Sequence, residues 1–392
     1  DLANLGTIAG RQLVTLSAGN IKNLGGRIRG MDTWLSARQD LENLGGSLEG
    51  EERLTARAGR DLKVQSTTHS TTSAQAPGNT RTHLDRLAGL YVTNPGGTLV
   101  AAAGRDLDLI AAALVNAAPT AASPSPLAGE GRGEGATTLL AGRNLALGTV
   151  TTAYAEKVGD GKHARQESGS SEVGSLIQSA GDLTLIAGRD LTARAAEVTS
   201  DQGRLLASAG NDIRIEAGES TLNVAEQHKT KSKGFLSTKK TTTRDTLNDT
   251  SALASTFSAD STTLIAERDI AIKGSNVVAT NDTTLIATRN LSIEAASETH
   301  TETHFTKTKQ SGVYSSGGVG FTLGSKQQST DQQTDATLAA GSTLGSTDGN
   351  VLLLAGENYR QVGSDVIAVQ GDIDIAAKTV DIVEARQTSR TV

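Results

Sequence analysis

The chain has 392 residues with 2% aromatic content, 43 glycines, five prolines, no cysteine and a formal net charge of -6. That length exceeds the usual single core, and so few aromatic side chains argue against a globular enzyme, which uses them to fill its interior and line its pockets. The absence of cysteine excludes disulfides and thiolate chemistry, the mild charge gives no reason to expect a nucleic-acid partner, and no apolar run approaches the roughly 20 residues of a membrane helix.

From the N-terminus, two motifs recur. N-x-G-G-x-[L/I] occurs at 23–28, 43–48 and 94–99, with a looser copy at 4–8. L-x-A-[G/x]-R-[D/N]-[L/I]-x-[L/I] ends at Leu109, Leu147, Ala193, Ile215, Ile272 and Ile293. Asn20, Asp40 and Asp61 are 20 and 21 apart, Asp190 and Asp212 are 22 apart, and Asp269 and Asn290 are 21 apart. A period near 21 with this self-similarity is the signature of a solenoid coil. Leu264, Ala266, Ile270 and Ile272 share one parity, as do Leu285, Ala287, Leu291 and Ile293, which predicts inward rows on strands either side of a corner. The expected fold is all-β: a right-handed parallel β-helix with three faces and about 21 residues per coil, its coils stacked about 4.8 Å apart. Gly104, Gly142, Gly188 and Gly210 are expected where the chain bends, at positive φ, with Asp106, Asn144, Asp190, Asp212, Asp269 and Asn290 stabilising the same corner through Asx turns.

Polar stretches near 66–83, 117–136, 154–175, 219–260 and 298–345 break the period and are expected to leave the coil at one corner. The low-complexity segment 124–135 reads as a flexible loop, and the last two stretches, alternating threonine with charge, as extended hairpins. The chain thus divides into 1–218, coils with polar insertions, and 219–392, a C-terminal module with the longest ones. It begins inside a repeat and reads as an internal stretch of something longer.

No residue set suggests catalysis, and no cofactor is expected. A carboxylate row at the corners has its simpler explanation in turn chemistry, and a calcium solenoid would repeat G-G-x-G-x-D-x on every coil. Glu298, His300, Glu302 and His304 share one face of an extended strand and are of metal-ligating type. Their spacing of about 7 Å between successive same-face residues favours a solvated hairpin face. Lys229, Lys231, Lys233, Lys239, Lys240 and Arg244, with Lys307 and Lys309, lie near Phe235 and Phe305. They are candidates for contact with lipopolysaccharide, sulfated glycans or lipid headgroups, against the plainer role of lysines protecting sheet edges.

The AGRDL and NLGGxI coils, the stretch 307–324 (KTKQSGVYSSGGVGFTLG) and the following 341–351 (GSTLGSTDGNV) resemble the haemagglutinin repeats of filamentous haemagglutinins and contact-dependent growth inhibition effectors. The resemblance covers essentially the whole chain and is strongest from about Glu219. It implies a secreted, cell-surface filament, exported through an outer-membrane transporter, that meets a target cell for adhesion or toxin delivery. The family's secretion, pretoxin and toxin segments have no counterpart in these residues. The alternatives are a β-helical polysaccharide-active enzyme and a passive spacer.

Overall fold

The computed structural model describes residues 1–392 except 75, 77, 117–134, 235–236 and 316–320. The described chain is a parallel β-helix. Each coil places one strand on each of three faces, and each strand pairs with its equivalents in the coils before and after. The first face is a twelve-stranded parallel sheet running from Leu2–Asn4 to Thr379–Val383. The second ladder runs from Thr7–Ala9 to Asp365–Ala368, and the third from Leu13–Ala18 to Ile373–Ala376.

The inward parity follows the alternation of the sequence. Leu62, Leu107, Leu145, Leu191, Ile213, Ile270 and Leu291 are successive register partners and form one fully buried row. Fully burying each such side chain contributes about 1.5–3 kcal/mol relative to exposure. The rows expected at Leu264, Ala266, Ile270 and Ile272 and at Leu285, Ala287, Leu291 and Ile293 are all buried. The asparagine of the first motif also points inward, where the Asn4 side chain donates to Asn23 and Asn23 to Asn43, each at 2.8 Å. Asn43 donates onward to the Gly46 and Gly89 carbonyls, so the buried amides satisfy one another.

The corner between the third and first faces carries the second motif. There the aspartate reaches the neighbouring coil, where the sequence predicted a bond to its own turn. Asp61 accepts the Asp106 backbone N–H at 3.4 Å and Asp269 that of Asn290 at 3.1 Å. The arginine of each next coil clamps the same carboxylate: Arg60 on Asp40, Arg105 on Asp61, Arg143 on Asp106 and Arg289 on Asp269. Such paired, charge-assisted bonds are the stronger kind. Gly104, Gly142, Gly188 and Gly210 stand at this corner but have ordinary φ, contrary to expectation. Their requirement is close stacking: a Cβ on each would collide with the backbone oxygen of Gly59, Gly104, Gly142 or Gly188 in the coil before.

Positive φ is found instead at the next corner, between the first and second faces, and at Gly96 and Gly135 between the second and third. Gly25, Gly45, Ala111, Ala195, Gly274 and Gly363 adopt it at the former. Where a long insertion leaves instead, the equivalent Ser66, Thr149, Ala217 and Ala295 do not. The motif copy at 94–99 lies at a third corner, because Leu99 pairs with Leu54 on the third face whereas Ile28 pairs with Leu48 on the second.

Candidate contact surface

Four insertions leave from the corner between the first and second faces, and each is a β-hairpin. The first pairs Thr67–Thr72 with Thr80–Arg86, the second Val150–Gly159 with His163–Val173, the third Gly218–Gly234 with Ser237–Leu253, and the fourth Ala296–Ser315 with Phe321–Ala340. The first two were expected only as polar insertions. The segment at 117–134 lies outside the described residues; the strands before and after it, Ala113–Asn116 and Thr137–Ala141, belong to the second and third faces. A single exit corner therefore holds for the four described stretches.

The hairpins are not separate. Each pairs edge to edge with the one before, and Thr388–Thr391 adds to the last, giving one nine-stranded antiparallel sheet beside the solenoid. Threonine-rich, proline-free strands suit this extended pairing. Strand length grows from 6 and 7 residues in the first hairpin to 20 and 20 in the fourth. At about 3.3 Å per residue the fourth spans roughly 65 Å.

Residues directly opposite one another share a face, so the register sorts the candidate residues. Lys231, Lys240 and Lys309 form one row across three neighbouring strands. One alternation on either side lie Lys229 with Thr242 and Lys307, and Lys233 with Thr238 and Ser311, on the same face. Next inward on that face, Arg244 opposes Phe305, its guanidinium 5.8 Å from the ring centre. Eight of the ten predicted contact residues therefore share a face. Lys239 lies on the opposite one, and Phe235 lies outside the described residues.

The opposite face holds histidines and carboxylates. His304 Nδ1 lies 3.0 Å from Asp245 Oδ1 and its Nε2 2.9 Å from Glu302 Oε1. His300 Nδ1 lies 2.6 Å from Asp249 Oδ1 and its Nε2 3.9 Å from Glu302 Oε2. Glu298 Oε1 accepts the Ala252 N–H at 3.0 Å. The hydrogen bond to Asp245, reinforced by the charges of Glu302 and Asp245, pushes the His304 pKa above its ordinary value. Among the described residues no group of three or more histidines and carboxylates is placed to hold a metal ion. The partners Asp245 and Asp249 were missed in the sequence, because they stand more than 50 residues from their histidines and only the register joins them.

Nearer the solenoid the sheet carries shallow grooves. One of about 600 Å³ is lined by Arg81, His83, Tyr154, Gly169 and Leu222 among others. The Tyr154 ring covers Gly169, directly opposite it, and its hydroxyl donates to Glu167 Oε1 at 2.8 Å.

A family model described as "Hemagglutinin repeat" matches residues 157–243 and 236–391, more than half of the chain. The chain belongs to the hemagglutinin-repeat family. Among curated proteins, this hemagglutinin-repeat chain is 35% identical over 221 residues to the 16S rRNA endonuclease CdiA of Enterobacter cloacae, covering 56% of the chain and 6% of that protein. It is 37% identical over 204 residues to the tRNA nuclease CdiA of Escherichia coli strain STEC_O31, covering 51% and 6%. To the deoxyribonuclease CdiA of Dickeya dadantii it is 36% identical over 222 residues, covering 55% and 7%. The chain thus spans only a small fraction of the length of these relatives. No solved structure matches it.

Proposed function

We propose that the hemagglutinin-repeat chain is a non-enzymatic segment of a large secreted exoprotein, displayed at a bacterial cell surface after passage through an outer-membrane transporter. The solenoid provides reach, and the hairpin sheet meets the surface of a target cell, chiefly through residues 219–392 with their two longest hairpins. The observation that carries this reading is the sheet itself: four insertions from one corner join into a continuous polar surface and gather eight candidate contact residues on one side. The relatives support the non-enzymatic part. Three proteins named for three different nuclease activities share a stretch similar to this one, so that stretch is not what distinguishes their chemistry.

The test is binding of the purified chain to intact bacterial and animal cells by flow cytometry. It is compared with a variant in which 218–253 and 296–340 are replaced by closed corners bearing glycine at 217 and 295. Loss of binding with the solenoid still protease-resistant is the expected result. Hairpin-dependent binding to bacteria supports delivery into a competitor, and binding to animal cells supports adhesion. Undiminished binding by the variant would contradict the reading and leave the chain a spacer.

A further inference from the structure

We propose that His163 and His228, which face each other across the join of the second and third hairpins, form a binding site for a divalent transition-metal ion of the zinc type. The site is independent of the contact surface proposed above, because it lies on the opposite face of the sheet from the lysines.

All six histidines of the chain stand on one face of the hairpin sheet. His69 opposes His83, and two residues before His83 a row runs from Arg81 through Tyr154, Gly169, Leu222 and Asp249 to His300. His163, His228 and His304 lie an even number of residues along their strands from that row, so they share its face. Among the described residues, His163 and His228 are the two histidines whose ring nitrogens meet. They are direct register partners, their Nδ1 atoms lie 3.3 Å apart, and the rings are tilted by 45° with centres 5.6 Å apart. Two nitrogens bound at about 2.0–2.1 Å to a tetrahedral zinc ion are themselves about 3.3 Å apart. The pair therefore already has the separation of two ligands on one ion. By contrast, the rings of His69 and His83 meet edge to face at 5.8 Å, and His300 and His304 direct Nδ1 at Asp249 and Asp245.

The surroundings hold the pair in place. Asp160 Oδ1 accepts the Lys162 and His163 N–H groups at 2.7 and 2.9 Å, and the Asp160 N–H donates to the His163 carbonyl at 2.8 Å. Across the join, the Lys229 N–H donates to the Lys162 carbonyl at 2.7 Å. A backbone fixed before the ion arrives lowers the ordering cost of binding. The nearby charges suit a cation: Arg165, two residues from His163, is shared by Glu167 and Glu226. Glu226 Oε2 also stands 3.9 Å from His228 Nε2, on the side where a metal-bound imidazole commonly has a carboxylate as outer partner. Both histidines are exposed, so water completes the coordination of the ion. Imidazole ligands select zinc, copper or nickel over calcium and magnesium, which take oxygen. Bound there, the ion clasps the tip of the second hairpin to the third.

The experiment titrates the full chain with zinc chloride by calorimetry, with calcium chloride as the hard-ion comparison. The parent is expected to bind zinc, and His163→Gln and His228→Gln each to weaken that binding by at least about tenfold, since loss of an outer partner alone commonly costs as much. The controls His69→Gln and His83→Gln should bind as the parent does. In nitrogen-edited NMR spectra, zinc should move the Nδ1 resonances of His163 and His228. Hydrogen exchange of the turn 159–163 should slow on adding zinc to the parent and not on adding it to His228→Gln, although that residue belongs to the other hairpin. A pair that is merely hydrogen-bonded would show no zinc affinity that depends on either histidine. Equal losses in all four variants would mark unspecific binding, and calcium bound as tightly as zinc would mark a carboxylate site. Any of these three results would overturn the proposal.

Discussion

Phe257 offers the sharpest probe of how the solenoid is held together. It is fully buried on the second face, between Val198 of the coil before and Val277 of the coil after, immediately beyond the return of the third hairpin. Phe257→Ala removes a ring from a closed row whose spacing is fixed by ladders on all three faces, so little collapse can fill the space. Substitutions of this kind cost about 3–5 kcal/mol. In a stacked array that cost falls on the affected coil and its neighbours. Hydrogen exchange read by mass spectrometry should therefore show protection of Glu197–Ser200, Thr256–Ala259 and Asn276–Ala279 falling by about two to four powers of ten. Leu62–Gln65 and Leu107–Ile110 should keep theirs. Uniform loss of protection along the chain would refute nearest-neighbour stacking, and no loss would show that Phe257 does not fill the core.

Other perturbations address the corners and the charges. Ala195 sits at φ 46, where a left-handed backbone costs a non-glycine residue about 1–2 kcal/mol, so Ala195→Gly should raise stability by about 0.5 kcal/mol after the entropy of glycine is counted; a lower urea midpoint would argue against the corner geometry. The arginine clamps hold Asp40, Asp106 and Asp269 below the usual carboxylate range. Their contribution is full above the ordinary aspartate pKa and disappears as pH falls through the depressed values, so urea midpoints should be flat from neutral pH to about 5 and drop below about 4. For His304 the raised pKa gives the opposite sign: stability is present below the ordinary histidine value and lost as pH rises through the raised one. Once exchange is expressed as protection relative to the free-chain rate at each pH, the third and fourth hairpins should be most protected in mild acid, and His304→Gln should abolish that dependence of protection on pH.

Much of the solenoid was legible because its information is local. Leu285 and Ala287 repeat the parity of Leu264 and Ala266 at one period, so inward rows follow from alternation alone. The reason for glycine at 104, 142, 188 and 210 was not legible locally, since the oxygen that forbids a Cβ belongs to another coil. The copy at 94–99 misled for a related reason: the same turn chemistry suits two corners, and only strand pairing tells which. The hairpin sheet was legible only in part. Alternating threonine and charge predicts strands at 219–260 and 298–345, but their joining depends on pairs such as Lys240 with Lys309 and Asp245 with His304, far apart in sequence. Nothing in local pattern assigns Lys231 and Lys239 to opposite faces; the hairpin register does.

The most direct test of the central claim is site-specific photo-crosslinking of the chain bound to target cells, with the probe placed either at Thr242, among the lysines, or at Ser208, on the outward side of the third face. Crosslinks to cell-surface material from Thr242 and none from Ser208 are expected. Equal crosslinking from both, or crosslinking from Ser208 alone, would contradict the assignment of contact to the hairpin sheet.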